Sequence, residues 1–205
     1  VYEKAFQDKS VFPALLEHIM ALVSEEPASA RRNSQIYLSS FSAGYGAVRA
    51  ILKHHASKIQ GIILLDGLHT DYIPSQRVLA QGGTLNHKKL DVFIRFAQQA
   101  IKGHKTLLIT HSEIFPGTYA STTETADFII KTLGLERSAV LKWGPVGMQM
   151  LSETRAKGLS ILGFAGNTAP DHIDHFHGLP EFLSMVLPRQ ARTQLPSENP
   201  ALKSP

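Results

Sequence analysis

Residues 35–50, QIYLSSFSAGYGAVRA, are the stretch that decides the fold of this chain. An apolar run over Ile36-Tyr37-Leu38 stops at the small residues Ser42-Ala43-Gly44, and a helical pattern follows. A short apolar run with small residues at its end is typical of a buried strand, whereas apolar residues recurring every three or four positions are typical of a helix. The stretch therefore predicts a strand, a tight turn and a helix, with one side chain at the tip of the turn.

The spacing within the turn selects Ser42 as that side chain. Residues 40–44, SFSAG, are a relaxed form of the G-x-S-x-G nucleophile elbow, in which the serine has a strained backbone and the residues two before and two after it are small. Gly44 meets this requirement, and Ser40 stands where the motif usually has glycine. The alternative is an ordinary strand-to-helix turn in which Ser42 is the helix N-cap.

Length and composition predict a single α/β domain. The chain has 205 residues, of which 43% are hydrophobic and 19% charged, as in an ordinary globular protein. We expect this domain to span residues 1–187. Residues 188–205 have four prolines and few apolar side chains, so the sequence predicts a disordered tail.

Because the chain begins at Val1 without a methionine and shows no signal peptide, we expect it to be processed, shortened by design or a piece of a longer protein.

Charge and hydropathy exclude several classes of partner. The net charge of +4 is spread along the chain, and its only adjacent basic pairs are Arg31-Arg32 and Lys88-Lys89, so no strip typical of nucleic-acid binding is present. No apolar run approaches the roughly 18 residues of a membrane span. The absence of cysteine excludes disulfides, thiolate metal sites and cysteine nucleophiles. We expect a small-molecule substrate, no nucleic-acid partner and no membrane span.

Predicted strands and helices alternate along the chain. After the elbow, four further apolar runs are predicted strands, at residues 61–66, 105–110, 148–154 and 159–164. This alternation predicts a mostly parallel sheet with helices on both faces. Ligands in such sheets bind beyond the carboxyl ends of the strands. We therefore expect Ser42, Asp66, the residues after Thr110 and the loop before His172 to converge at one edge of the sheet.

A histidine after the last strand is the expected base. A serine hydroxyl needs a base to accept its proton, and that base is normally a histidine oriented by a carboxylate. Residues 171–177, DHIDHFH, follow the last predicted strand. We favour His172, the first histidine after the loop, and take His175 as the alternative. His177 precedes Gly178 and is a better candidate for a surface or packing residue.

Two carboxylates compete for the role of the acid. Asp66 ends the strand that follows the nucleophile helix, and Glu113 lies after the next strand. An aspartate at a strand end can also cap a loop or pair with a basic side chain. We favour Asp66 over Glu113 as the acid that orients the histidine, and the sequence leaves both carboxylates as candidates.

From the elbow onward, the chain resembles the C-terminal two-thirds of an α/β-hydrolase of the serine esterase or lipase kind. The residues that carry the resemblance are SFSAGYGAVRAIL at 40–52, GIILLDGLH at 61–69, KTLLITHSEI at 105–114 and GNTAPDHIDHFHGLPEFL at 166–183. The resemblance implies a three-layer fold and acyl transfer to water, with Ser42 as nucleophile, His172 as base and the Ala43 N–H as one oxyanion donor. Asp66 would hold the acid position used by lipases of the pancreatic type. No cofactor and no metal are implied.

The chain departs from the family before the elbow. The family places several strands there, and one of their loops supplies the second oxyanion donor. Here only about 35 residues precede the elbow, and no HGGG-type segment is present. Loss of one such donor typically lowers the rate by about 10²–10³. The sequence therefore predicts either a shortened chain or a reduced fold.

Three other functions remain open. Gly44-Tyr45-Gly46, with Asp66 22 residues beyond Gly44, resembles a dinucleotide-binding fingerprint, although Arg49 stands where a small third residue is needed. A hydrolase-like domain without activity would serve as a binding module. A metal site is the third alternative, and its candidate ligands are Asp171, His172, Asp174, His175 and His177.

Overall fold

A six-stranded sheet organises the protein, which a computed structural model describes over residues 2–23 and 35–187. The prediction of a disordered tail at 188–205 lies outside the described residues, as do the predicted link at 31–34 and the predicted end of the first helix near residue 26. The helices are α1 Tyr2–Ala5, α2 Val11–Val23, α3 Tyr45–His55, α4 Asp91–Lys102, α5 Thr122–Thr132, α6 Ala169–His177 and α7 Leu179–Val186. The strands are β1 Ile36–Phe41, β2 Ile59–Leu65, β3 Tyr72–Ile73, β4 Thr84–Leu85, β5 Thr106–His111, β6 Ser138–Trp143, β7 Gln149–Ala156 and β8 Leu159–Phe164.

The sheet is mostly parallel, as the sequence predicted. Its strand order is β1-β2-β5-β8-β7-β6, and β3 pairs with β4 in a separate two-stranded sheet. Strands β1, β2, β5 and β8 are parallel, whereas β7 runs antiparallel to β8 and β6 antiparallel to β7. In the described part of the chain, β1 and β6 are the two edges of the large sheet.

Register brings the ends of the parallel strands to one edge. Phe41 of β1 lies opposite Leu65 of β2, and Leu65 lies opposite Thr110 of β5. Ser42 and Asp66 directly follow two of these residues. The convergence of the strand ends at one edge follows from parallel pairing.

The core lies on both faces of the sheet because successive strand residues point to opposite sides. Ile62 and Leu64 pack with apolar residues of α3, α4 and α5 in one buried cluster. Ile63 and Leu65 pack in a second cluster with side chains of α7. In residues 2–23 and 35–187, none of the helices combines the length and the hydrophobicity needed to cross a bilayer.

The structure differs from the sequence prediction at three strands and at the start of one helix. Strand β6 was missed because most of its side chains are exposed, so it lacks the alternation that a half-buried strand shows. Short strands β3 and β4 lie within the segment 67–86, where no strand was predicted. The predicted loop before His172 is shorter than expected, because α6 begins at Ala169.

Helix α5 has the predicted capping box. Ser121 Oγ accepts from the backbone N–H of Glu124, and Glu124 Oε2 accepts from the Ser121 N–H at 2.8 Å. Two N–H groups that lack partners within the helix are satisfied in this way.

Replacing Ser121 by alanine should lower the free energy of unfolding by about 1 kcal/mol, because the Glu124 N–H loses its acceptor. Urea denaturation followed by circular dichroism measures this change. Thr132→Ala, at the exposed end of the same helix, is the control and should change stability by less than about 0.5 kcal/mol. Equal effects of the two variants would contradict the prediction.

Candidate active site

The predicted strained serine lies at the tip of the strand-to-helix turn. Phe41 is extended, with φ −118° and ψ 141°, and Ser42 follows with φ +51°. A left-handed conformation at a non-glycine residue costs on the order of 1–3 kcal/mol and persists only where the surroundings enforce it. A single turn of 3₁₀ helix, Ser42–Gly44, leads directly into α3. This backbone matches the one expected for a nucleophile elbow.

Two glycines allow the close contacts around this turn. A Cβ atom at Gly44 would lie 3.1 Å from Ser40 Cβ, so the residues two before and two after Ser42 do approach each other closely. A Cβ atom at Gly67 would lie 2.3 Å from the Ser42 carbonyl oxygen. The segment after β2 therefore packs directly on the Ser42 backbone, and a side chain at position 67 would displace the turn.

Asp66 lies at the end of β2 and is the most strongly held side chain of the site. Its side chain is 2% exposed, and its backbone is also left-handed, with φ +37°. Its carboxylate accepts four hydrogen bonds: from the Ser112 N–H at 2.9 Å, the Ser112 hydroxyl at 2.7 Å, the Thr122 hydroxyl at 2.6 Å and His172 Nδ1 at 2.7 Å. Burial alone would raise the pKa of Asp66, but the hydrogen bonds from His172, Thr122 and Ser112, together with the field of His175, lower it below its usual range. The carboxylate is therefore ionised at neutral pH.

His172 lies beside Asp66 in the first turn of α6, shortly after the loop that follows the last strand. Because a carboxylate only accepts, Nδ1 carries the hydrogen that His172 donates to Asp66, and Nε2 presents its lone pair. The imidazole packs against Phe41 at 4.5 Å between ring centroids. Its side chain is 24% exposed, so solvent and substrate can reach it. A capping box between Thr168 and Asp171 fixes the start of this helix.

Ser42, Asp66 and His172 line one cavity of about 280 Å³, together with Ser112, Ile114 and Asn167. We call it the His172 cavity. Within residues 2–23 and 35–187, no hydrogen bond joins Ser42 to His172. The structure thus brings the three predicted residues to one cavity and pairs two of them directly.

The alternative residues lie elsewhere. Glu113 is exposed and does not line the His172 cavity, although its N–H donates to the Gly166 carbonyl at 2.9 Å. His175 is 1% exposed, and its Nδ1 lies 2.7 Å from the Thr110 hydroxyl. Of the candidate residues, His172 alone contacts a cavity-lining carboxylate. Their catalytic roles stay predictions.

The structure offers few contacts in support of the metal-site and dinucleotide-binding alternatives. No three histidine, aspartate or glutamate side chains are grouped to hold a metal ion in the described ranges. His172 and His175 bond to different partners, Asp66 and Thr110. Arg49, at the third position of the dinucleotide fingerprint, is buried and donates to Glu3 at 2.6 Å.

A second cavity of about 240 Å³ adjoins Ser42 on the side of Ala43. We call it the Ala43 cavity. Its walls include Tyr45, His69, Asp71 and Tyr119, and Ser42, His69 and Tyr119 line both cavities. Ala43 lies in the first turn after β1, where N–H groups have no partner within the helix. Ser42 therefore stands where the two cavities meet.

A series of hydrogen bonds that leads from Arg137 to Asp66 was not predicted from the sequence. Arg137 Nη1 donates to His111 Nε2 at 2.7 Å, so the His111 hydrogen is on Nδ1, 3.0 Å from the Thr123 hydroxyl. Thr123 in turn donates to the Ser112 carbonyl at 2.6 Å, and Ser112 donates to Asp66. Burial, with the charge of Arg137, lowers the pKa of His111 to about 4 and keeps it neutral. No motif marks these residues, because they meet only through folding; the capping box next to Thr122 was the single local signal.

The hydroxyl oxygen of Ser40 is buried and has no hydrogen-bond partner among the described residues. Because an unpaired buried hydroxyl costs about 1–3 kcal/mol, Ser40→Ala should raise the free energy of unfolding by about 1 kcal/mol. Ser40→Val should lower it by about 1–3 kcal/mol, because the added methyl groups meet Gly44. Denaturant titration compares the two variants. A loss of stability in Ser40→Ala would show that this hydroxyl has a partner in solution.

Stability should depend on pH through Asp66. The pKa of Asp66 is lower in the folded protein than in the unfolded chain, where it is about 4. Ionised Asp66 therefore stabilises the fold above about pH 4, and this contribution is lost as the pH falls through the folded-state pKa. Between pH 5 and pH 2.5 the wild type should therefore lose more stability than Asp66→Asn does. Thermal unfolding across this range measures the difference, and Asp91→Asn, an exposed position in α4, is the control. Parallel curves for the wild type and Asp66→Asn would contradict the prediction.

No protein-family model, no curated protein and no solved structure matches the chain. The function is therefore argued from the geometry of the cavity-lining residues.

Proposed function

We propose that the protein is a serine hydrolase that cleaves a carboxylic ester, with Ser42 as nucleophile, His172 as base and Asp66 as the orienting acid. The observation that carries this proposal is the 2.7 Å hydrogen bond from His172 to the buried Asp66, in the cavity that the strained Ser42 also lines. A buried carboxylate, an accessible imidazole and a serine on a strained turn are the three parts of an acyl-transfer site. The two buried clusters on opposite faces of the sheet are consistent with the three-layer arrangement of an α/β-hydrolase-like fold.

The first half of the reaction transfers the acyl group to the enzyme. Ser42 Oγ attacks the ester carbonyl carbon while its proton passes to His172 Nε2. The tetrahedral intermediate collapses when the bond from carbon to the alcohol oxygen breaks, and His172 returns the proton to that oxygen. An alcohol leaves, and the acyl group stays on Ser42 as an ester.

The second half repeats these steps with water. His172 Nε2 accepts a proton from water, the hydroxide attacks the acyl carbon, and the bond to Ser42 Oγ breaks as Oγ regains a proton. The products are a carboxylic acid and the free enzyme. The Ala43 N–H supplies one donor to the carbonyl oxygen as it becomes negative in both halves.

Asp66 acts through His172 in this scheme. Its carboxylate holds the hydrogen of the imidazole on Nδ1 and stabilises the imidazolium that forms after proton transfer. Because Ser112 and Thr122 occupy its remaining lone pairs, Asp66 stays ionised and cannot rotate away. Ser42 and His172 would form their hydrogen bond as the substrate binds, since catalytic hydrogen bonds are often long or poorly aligned before that step.

Labelling with a fluorophosphonate tests the proposal. Attack by Ser42 Oγ on phosphorus expels fluoride, and mass spectrometry then locates the covalent adduct. We expect labelling at Ser42, hydrolysis of p-nitrophenyl acetate, and loss of both in Ser42→Ala and His172→Ala by at least about 10³-fold. His177→Ala is the matched control, because His177 is exposed on the same helix, where it lies near Asp174 and Phe176 and does not line the His172 cavity. Full activity in Ser42→Ala would refute the proposal.

A non-catalytic binding module is the second candidate, and one observation favours it. Ser42 has no hydrogen bond to His172 within the described residues, so the serine of the unliganded site is not yet activated. In that case a folded protein would bind esters in the His172 cavity without labelling or turnover. Ligand-induced thermal stabilisation without covalent adduct would identify this function.

A further inference from the structure

The two cavities at Ser42 divide an ester substrate into its two halves. This inference rests on the proposed function. His172 must return a proton to the alcohol oxygen, so the leaving alcohol lies in the His172 cavity. The Ala43 N–H must meet the carbonyl oxygen, and the acyl chain therefore extends into the Ala43 cavity. The side chains that line the Ala43 cavity decide which acyl group is accepted.

His69 gives the Ala43 cavity a hydrogen-bond acceptor. His69 Nδ1 lies 3.0 Å from the Ala120 carbonyl, and because a carbonyl only accepts, Nδ1 carries the hydrogen. Burial lowers the pKa of His69, so the ring is neutral and its Nε2 presents a lone pair. The ring contacts Tyr119 edge-on at 5.0 Å and Tyr45 at 5.8 Å between centroids, which fixes its orientation. In the described structure no protein donor reaches Nε2.

Asp71 adds a second acceptor. One of its carboxylate oxygens accepts from Lys89, and the other has no donor among the residues of the described ranges. The Lys89 contact offsets the negative charge of Asp71, so a neutral hydroxyl suits this carboxylate better than a second ammonium does. A plain alkyl chain would cover His69 Nε2 without pairing it, which is unfavourable for a partly buried acceptor, whereas the half-exposed carboxylate of Asp71 keeps contact with water and loses less.

The size of the Ala43 cavity limits the length of the acyl group. Its volume of about 240 Å³ equals the volume that roughly eight water molecules occupy in liquid water. A methylene group takes about as much space as a water molecule in the liquid, so this volume holds an acyl chain of up to about eight carbons and is too small to enclose a longer fatty acyl chain. We propose that the Ala43 cavity is the acyl subsite and that it selects short acyl groups bearing a hydroxyl, which donates to His69 Nε2 or Asp71.

A pair of esters that differ by one hydroxyl tests this specificity. We would measure kcat/KM for p-nitrophenyl 3-hydroxybutyrate, as each enantiomer, and for p-nitrophenyl butyrate and octanoate. The leaving group is the same in all of them, so the ratio reports the acyl subsite alone. We expect one 3-hydroxybutyrate enantiomer to exceed both butyrate and octanoate by about tenfold or more, since one satisfied acceptor is worth about 1.4 kcal/mol.

Substitutions of His69 and Asp71 test which of these residues causes the preference for the hydroxylated ester. His69→Phe keeps a ring of similar shape and removes Nε2, and Asp71→Leu removes the carboxylate at a more exposed position. At least one of them should bring the ratio of 3-hydroxybutyrate to butyrate close to one while butyrate hydrolysis and fluorophosphonate labelling of Ser42 persist. Ile114→Val is the matched control in the His172 cavity and should keep the wild-type ratio.

The outcomes separate this inference from the proposed function. Hydrolysis that favours butyrate or octanoate over both 3-hydroxybutyrates would overturn the acyl-subsite proposal and leave the serine hydrolase intact. A preference that survives unchanged in both His69→Phe and Asp71→Leu would overturn the assignment of the acceptors. Failure to hydrolyse any of the esters, together with no adduct on Ser42 in a folded protein, would overturn both proposals.

Discussion

The carboxylate of Asp66 is the constraint on which the rest of the site depends. It is almost completely buried, and it accepts hydrogen bonds from the segment after β5, from the start of α5 and from α6. A buried charge is tolerated only when its lone pairs are satisfied, so these three elements must meet at the end of β2. The same contacts that stabilise the charge also place His172 at the His172 cavity. Stability and site geometry therefore have one physical cause.

Backbone strain is present at the two residues that the proposed reaction needs most, which are two of the five non-glycine residues with positive φ in the described structure. Ser42 and Asp66 both adopt left-handed conformations, which non-glycine residues rarely do. Close packing of Gly67 on the Ser42 backbone links the two turns, so neither can relax without moving the other. Strain at adjacent strand ends is expected where surrounding structure fixes a functional geometry, and it supports a role for both side chains.

The two cavities at Ser42 share His69 and Tyr119 and differ in their other side chains. The His172 cavity combines the proposed base with apolar walls such as Ile114 and Pro116. The Ala43 cavity presents His69 and Asp71, whose free acceptors find no donor in the described parts of the chain. A site of this kind favours substrates that carry donors, because any other substrate leaves these acceptors unpaired.

The sequence by itself determined the alternation of strands and helices, the turn at Ser42 and the capping box of α5, because each of these depends on local spacing and on the residue types of a short segment. It also placed Ser42, Asp66 and His172 at one edge, since parallel strands end together. Strand β6 was not predicted because most of its side chains are exposed, so its sequence lacks the alternation of apolar and polar residues. Only the tertiary structure showed that His172 is hydrogen-bonded to Asp66 and not to Glu113, and it alone revealed Ser112, Thr122 and the His111–Arg137 chain. These partners are separated by 11 to 106 residues along the chain, and hydrogen bonds between such distant positions leave no local signal in a single sequence.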